Sequence, residues 1–320
     1  MNHPHVKNRW DLHGRRIWIA GHTGLVGSAL IRKLSKVPEI TLITCGRKDL
    51  DLMDRLSVEK FVSTQKPDLV LLAAGKVGGI VANSRFPAEF MDQNLMIEAN
   101  VVCASWKAGV RRLLSFGCAC MYPRECPQPM RPEWLMRGKL EETSEAYAMA
   151  KLVGMMLCGS YSRQYGVSYL TAIPSNLYGP GENFDLENAH VVAALLRRFH
   201  EAKEKQDREI VLWGSGKAKR DFLYVDDMAE AVLLLLEQYH GTEPVNIGSG
   251  HLWTIRDLAQ NIAEVVGFRG LIRWDPSKPE GVRAKALDPS LIHGLGWIPR
   301  TNLSAGLEKT YAWFLEHRRV

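Results

Sequence analysis

Tyr147 and Lys151 stand four residues apart in Tyr147-Ala148-Met149-Ala150-Lys151, a spacing that puts both side chains on one face of a helix. A free phenol, with a pKa of about 10, transfers protons poorly near neutrality. An ammonium beside it favours the phenolate and draws its pKa toward the working range. Upstream, Gly117-Cys118-Ala119-Cys120-Met121-Tyr122-Pro123 carries two thiols two positions apart. Read as a strand, this segment points both thiols to one side with Cα atoms about 6.6 Å apart, the outer range for a disulfide. Oxidation is then expected to join Cys118 to Cys120 and silence the chemistry they perform.

Tyr-x-x-x-Lys is common on helix surfaces, and a second motif gives it weight. Gly21-His22-Thr23-Gly24-Leu25-Val26-Gly27 lies between an apolar run at 16–20 and a helical pattern at 28–36. Glycines there permit a tight turn and let backbone N–H groups approach a diphosphate at a helix N-terminus. Gly21, Thr23, Gly24 and Gly27 are therefore expected to hold a dinucleotide, with Lys151 holding the nicotinamide ribose. The second strand ends in Thr44-Cys45-Gly46-Arg47-Lys48, cationic where NAD-preferring folds place an acid for the ribose 2′-OH. Either Arg47, helped by Lys48, pairs with a 2′-phosphate and selects NADP(H), or the two are a solvated surface pair. Asp51 follows on the adenine side.

The elements that must position these groups alternate. Apolar runs at 40–44, 69–74, 113–116 and 169–173 read as strands, and the amphipathic segments between them, such as 91–108, as helices. This is an α/β chain with a doubly wound parallel sheet of Rossmann type. The rhythm changes after the turn cluster Gly179-Pro180-Gly181-Glu182-Asn183. A charged helix end or loop at 201–208, a strand at 210–213 and an apolar helix running from Tyr224-Val225-Asp226-Asp227 to near Tyr239 follow. The expected division is a dinucleotide-binding domain over 1–180, with a return segment near 221–249, and a smaller α/β substrate domain in the rest of 181–320. Residues 1–14 read as a frayed polar start.

Composition excludes several classes. No apolar run reaches the roughly 18 residues that span a bilayer, and the start lacks the layout of a signal peptide, so a cytoplasmic protein without membrane attachment is expected. Six scattered cysteines fit a reduced compartment rather than a disulfide framework, and no ligand set for a metal is present. The net charge of +6 is spread along the chain with no basic stripe among stacking aromatics, which argues against nucleic acid. A polyanionic small substrate accounts for the same sign.

From about Arg16 to near Phe314 the chain resembles the GDP-L-fucose synthases, a family of extended short-chain dehydrogenase/reductases. The resemblance rests on 20–29, on Lys76-Val77-Gly78-Gly79-Ile80-Val81-Ala82-Asn83, on Asn176-Leu177-Tyr178-Gly179-Pro180 through Asn183-Phe184, and on 190–200. It implies NADP(H), a GDP-linked keto-sugar and a homodimer formed through helices such as 91–108 and 151–165. It also implies that Cys120 and His190 move protons at C3 and C5 while Tyr147 serves the C4 carbonyl. By the same resemblance Arg198, Trp213, Arg220 and Lys285 contact the diphosphosugar, and Asn176 positions the substrate or the catalytic loop. Without it, Cys120 reads as a core thiol, His190 as a cap or surface residue, Arg198 as an exposed helix residue and Trp213 as core.

Two places depart from the family. The segment Gly281-Val282-Arg283-Ala284-Lys285 differs locally, and Cys118 stands where the family has serine. A thiol is a longer and weaker donor than a hydroxyl. Cys118 is thus a tolerated weaker donor, a sign of altered chemistry, or the mark of an impaired enzyme. The runner-up functions are a reductase or epimerase of a related GDP-linked deoxyhexose or heptose, and a catalytically weak nucleotide-binding regulator.

Overall fold

A computed structural model describes residues 10–186, 189–278 and 282–318; most of the expected frayed start lies outside them, as do Gly281 and Arg319. Six strands form one parallel sheet in the order Thr41–Ile43, Arg16–Ala20, Leu69–Leu72, Arg112–Phe116, Ser168–Pro174, Val245–Ile247. Every residue of Leu69–Leu72 and Arg112–Phe116 is buried, as expected of parallel strands covered on both faces. On one face the helices Leu25–Leu34 and Val225–Gln238 pack together over Ile17, Ile19, Leu71 and Leu114. On the other, Arg55–Gln65, Pro87–Lys107 and Glu145–Tyr165 cover Trp18, Val70, Leu72 and Leu113.

The remaining chain builds a smaller unit around Lys219–Tyr224. That strand pairs with Leu252–Thr254, Ala284–Lys285 and Asn176–Tyr178, while Glu209–Trp213 pairs with Leu271–Asp275. The helices Val191–Glu204, Ile255–Val266 and Leu303–His317 close over a core of Leu196, Phe199, Leu258, Ile262 and Leu307. The order of strands reverses between Arg16–Ala20 and Leu69–Leu72, so the crevice at their carboxyl ends is a topological switch point, where ligands of open α/β sheets bind.

Several sequence expectations are corrected locally. The first helix begins at Leu25 rather than 28, because Gly24 is its extended N-cap and Gly27 is buried in its first turn. The long helix begins at Pro87, a residue whose fixed φ and missing N–H suit a first turn. The thiols do not lie on a strand: Arg112–Phe116 ends before them, and Ala119–Met121 is a 3₁₀ turn with Cys118 as its extended N-cap.

Backbone packs on backbone at the switch point. Gly21 has φ +89°, and a Cβ on it would lie 2.6 Å from the Ala74 nitrogen. A Cβ on Gly27 would lie 2.2 Å from the Gly21 carbonyl oxygen, whereas one on Gly24 would meet only that oxygen, at 3.7 Å. Gly27→Ala is therefore expected to destabilise the fold by about 1–3 kcal/mol, the range of overpacking, and Gly24→Ala by less than about 1 kcal/mol. Paired denaturant titrations check this contrast.

Candidate active site

The glycine loop delivers an open helix N-terminus. Gly24 supplies no side-chain cap, and the first turn of Leu25–Leu34 carries no acidic residue, so its unsatisfied N–H groups and the helix dipole favour an anion. Thr23 is exposed beside it. Arg47 and Lys48 are exposed just beyond Thr41–Ile43. Asp51 uses one carboxylate oxygen to accept from Met53 N at 3.0 Å, and buried Asn100 donates to the carbonyls of Leu52 and Met53. The cradle of Gly21, Gly24 and Gly27, the free N–H groups and the two cations fit a dinucleotide carrying a 2′-phosphate.

Tyr147 and Lys151 lie on Glu145–Tyr165, as the spacing predicts. Lys151 is buried and its Nζ donates at 2.7 Å to Glu98, which is 1% exposed. The Ser115 hydroxyl donates to both Glu98 oxygens, at 2.8 and 3.1 Å. Gly154 leaves room for that carboxylate, since a Cβ there would stand 2.7 Å from Glu98 Cδ. Asn94, one turn before Glu98, accepts from Lys76 N and donates to Lys76 O, holding the loop after Leu69–Leu72 against the site. The Tyr147 ring meets Phe90 edge-on at 6.0 Å.

One electrostatic expectation is reversed. Tyr147 is held well above the ordinary phenol value, first by burial and then by the thiols Cys118 and Cys120 and the Glu98 carboxylate beside it. In this arrangement Tyr147 is a protonated acid, not a phenolate drawn out by Lys151.

The two thiols differ in state. Their sulfurs lie 2.9 Å apart in a hydrogen bond, brought together by the 3₁₀ turn although they are not on a strand. Cys120 is pulled down to about 7, first by the hydrogen bond from Cys118, against burial, with Lys285 and Lys151 helping. Cys118 is pushed well above its ordinary value by the same hydrogen bond, then by burial and the charge at Cys120. Cys118 is thus the S–H donor and Cys120 the thiolate acceptor. Met121, fully buried behind them, receives a bond from Cys118 N at 3.3 Å.

His190 is the uncapped N-cap of Val191–Glu204. It is solvent-accessible, yet the protein around it lowers its pKa by desolvation. The preceding Ala189 carbonyl lies 3.0 Å from where a Cβ on Gly79 would stand, so this helix end abuts the 75–80 loop. Among the described residues no hydrogen bond or ion pair joins His190 to Cys120 or Tyr147.

The other expected substrate residues divide. Lys285 pairs in register with Arg220 on the small sheet and is close enough to act on Cys120, which joins it to the thiol site. Arg220 donates to the carbonyls of Lys219 and Val282, and Arg198 donates to Val211 O. Asn176 donates to Asp221 O at 2.9 Å, bracing two strands. Trp213 is 56% exposed at a strand end, not core. Glu98 and Ser115 escaped the sequence reading. The signal was present, because Phe90, Asn94, Glu98, Val102 and Ser105 recur at helical spacing on the buried face of Pro87–Lys107, and a carboxylate in such a stripe needs a buried cation.

The profile of the NAD dependent epimerase/dehydratase family matches residues 17–248. A GDP-L-fucose synthase 1 from Arabidopsis thaliana is 47% identical, covering 94% of each chain. The GDP-L-fucose synthase of Escherichia coli (strain K12) is 47% identical over 95% of this chain and 98% of its own length. A crystal structure of a GDP-L-fucose synthetase from Naegleria fowleri bound to NADP superposes with a TM-score of 0.90 at 28% identity, covering 99% of this chain and 98% of that one. Parallel sheet, glycine cradle, Tyr147 and Lys151 on one helix face and similarity along nearly the whole length agree: the chain belongs to the NAD dependent epimerase/dehydratase family, alongside the GDP-L-fucose synthases.

Proposed function

We propose that this protein epimerises C3 and C5 of GDP-4-keto-6-deoxymannose and reduces C4 with NADPH, forming GDP-L-fucose. The observation that carries the reading is the hydrogen-bonded pair Cys118 and Cys120 beside Tyr147 and Lys151, in a chain 47% identical to GDP-L-fucose synthases. The 1–180 region with 221–249 binds the dinucleotide, and the rest of 181–320 binds the sugar nucleotide. Gly21, Thr23, Gly24 and Gly27 cradle the cofactor diphosphate, Arg47 takes the 2′-phosphate, Asp51 lies on the adenine side and Lys151 reaches the ribose.

Hydrogens next to a C4 ketone are acidic because the enolate places its charge on oxygen. Cys120, ionised near neutrality, removes one, and Cys118 is the donor that keeps its sulfur anionic. His190 returns a proton to the enolate carbon from the other face, its lowered pKa making the protonated ring a stronger acid, and the two groups then exchange their protons with solvent. Bound NADPH supplies the hydride to C4. Tyr147, still protonated, gives its proton to O4. Arg198, Arg220 and Lys285 face the substrate diphosphate, Trp213 lines the pocket and Asn176 steadies the loop that follows it.

The protein acts in the cytoplasm as a homodimer. Among the described residues no helix is long and apolar enough to cross a membrane. Pro87–Lys107 and Glu145–Tyr165 turn outward Met96, Met149 and Met156, each at least 36% exposed, apolar surface that a second copy would cover.

Incubation with the keto-sugar in deuterated water, with and without NADPH, tests the reading. Deuterium should enter C3 and C5, and NADPH should be oxidised; oxidation without exchange means a simple reductase, and the absence of both exchange and oxidation refutes the proposal. Exchange needs the Cys120 thiolate, populated above about 7, together with a protonated His190, whose pKa is lowered by desolvation, so its rate should pass through a maximum and fall as His190 loses its proton. Cys120→Ser should abolish exchange but leave NADPH binding intact, and Cys118→Ala should slow exchange about 10–100-fold, the worth of a hydrogen bond to a charged group. Cys118→Ser, which restores a hydroxyl donor, should retain exchange.

Cofactor choice is tested separately. Arg47→Asp should weaken NADPH binding about 10–100-fold, the worth of a charge-assisted hydrogen bond, and should spare NADH in the same fluorescence titration.

A further inference from the structure

The buried carboxylate of Glu98 has no part in the proton transfers assigned above, although it takes the strongest contact of Lys151. We propose that Glu98 is a positioning residue for the reaction: it fixes Lys151 in place and supplies the counter-charge without which the buried ammonium cannot serve cofactor and phenol together. The role assigned to Lys151 rests on the function proposed above.

Three elements converge on this one carboxylate. Pro87–Lys107 carries it, Arg112–Phe116 contributes the Ser115 hydroxyl to both its oxygens, and Glu145–Tyr165 contributes Lys151 at 2.7 Å. Gly154 lies three residues after Lys151 on the same helix, and a Cβ there would stand 2.7 Å from Glu98 Cδ and 2.8 Å from Oε2. Glu98 is 1% exposed and Lys151 5%, so water does not compete for either charge. An ammonium has three donors. One is committed to Glu98, which fixes where the other two point.

The titratable groups around the pair come from every element packed on it. Tyr147 and Cys158 share the helix of Lys151, and both are pushed up in part by the charge on Glu98. Cys118 and Cys120 lie beyond Tyr147, and Thr171 on Ser168–Pro174 stands close to Cys158. A carboxylate at 98 therefore balances Lys151 and helps keep the Tyr147 proton in place. Removing its charge alone leaves a buried ammonium without a partner. The unpartnered ammonium then gives up its proton more readily, so the active form vanishes at lower pH.

Glu98→Gln, nearly isosteric, should move the alkaline limb of kcat/KM down by about one pH unit or more. It should also make NADPH affinity, read by fluorescence, fall as pH rises across that interval. Glu98→Asp keeps the charge, and its limb should stay within about 0.3 of the wild-type position. A packing role alone would lower the thermal midpoint and leave both pH profiles where they were, and that result overturns the proposal. If the wild-type protein does not turn over the keto-sugar, the functional reading fails, while the NADPH titrations still decide the role of Glu98. Should Glu98→Gln fail to fold, wild-type protein labelled with ¹⁵N at lysine Nζ replaces it. A slowly exchanging Nζ–H signal that disappears in Lys151→Met supports the fixed pair, and a rapidly exchanging one refutes it.

Discussion

A small desolvated volume at the carboxyl edge of the sheet holds Glu98, Lys151, Tyr147, Cys118 and Cys120, and their charges cannot be chosen independently. In low dielectric an unbalanced charge is expensive, and a group that cannot find a partner gives up its ionisation instead. Glu98 and Lys151 neutralise each other at 2.7 Å. What remains is room for one more anion, and the hydrogen bond from Cys118 together with Lys285 directs it to Cys120. Tyr147 and Cys118 are then forced to keep their protons. One acid and one base thus arise from groups with similar intrinsic chemistry, which is the separation that proton transfer on two sides of a carbonyl needs.

The backbone serves that volume. The parallel sheet aligns the ends of Arg16–Ala20, Leu69–Leu72 and Arg112–Phe116 on one edge, so the glycine loop, the 73–80 segment and the thiol turn all emerge together. The tight approach of Gly21 to Ala74 and of Gly27 to Gly21 draws the cofactor loop against the segment that Asn94 pins. The longest helices, Pro87–Lys107 and Glu145–Tyr165, each span 21 residues. They pack side by side, which is how residues 98 and 151 come into contact across so much chain.

Legibility in the sequence followed the range of the forces involved. The alternation of strands and helices, the glycine loop and the Tyr147 and Lys151 face depend on local periodicity and turn chemistry, and all three were readable. The thiol segment was misread as a strand because an apolar run carries no mark of where a 3₁₀ turn replaces extension; the nearest physical cue, Gly117, leaves room for the Met121 sulfur that folds back over it. The direction of the Tyr147 shift was also misread. From the motif alone only Lys151 is visible, whereas the sign depends on burial and on Glu98, Cys118 and Cys120, which arrive from other elements. Glu98 itself was legible only as a carboxylate on the buried face of a helix.

The same balance accounts for what a thiol does at position 118. A serine at 118 would be a better donor to a carbonyl oxygen, but a thiol beside Cys120 meets a sulfur at 2.9 Å, a soft acceptor of matching size. Its own ionisation is suppressed by the charge next to it, so the pair behaves as one acid with a single proton shared between two sulfurs. In that state Cys118 directs its hydrogen bond to the neighbouring sulfur and supports the thiolate there. Cys118 and Cys120 are therefore one chemical feature, and neither can be assigned a charge without the other.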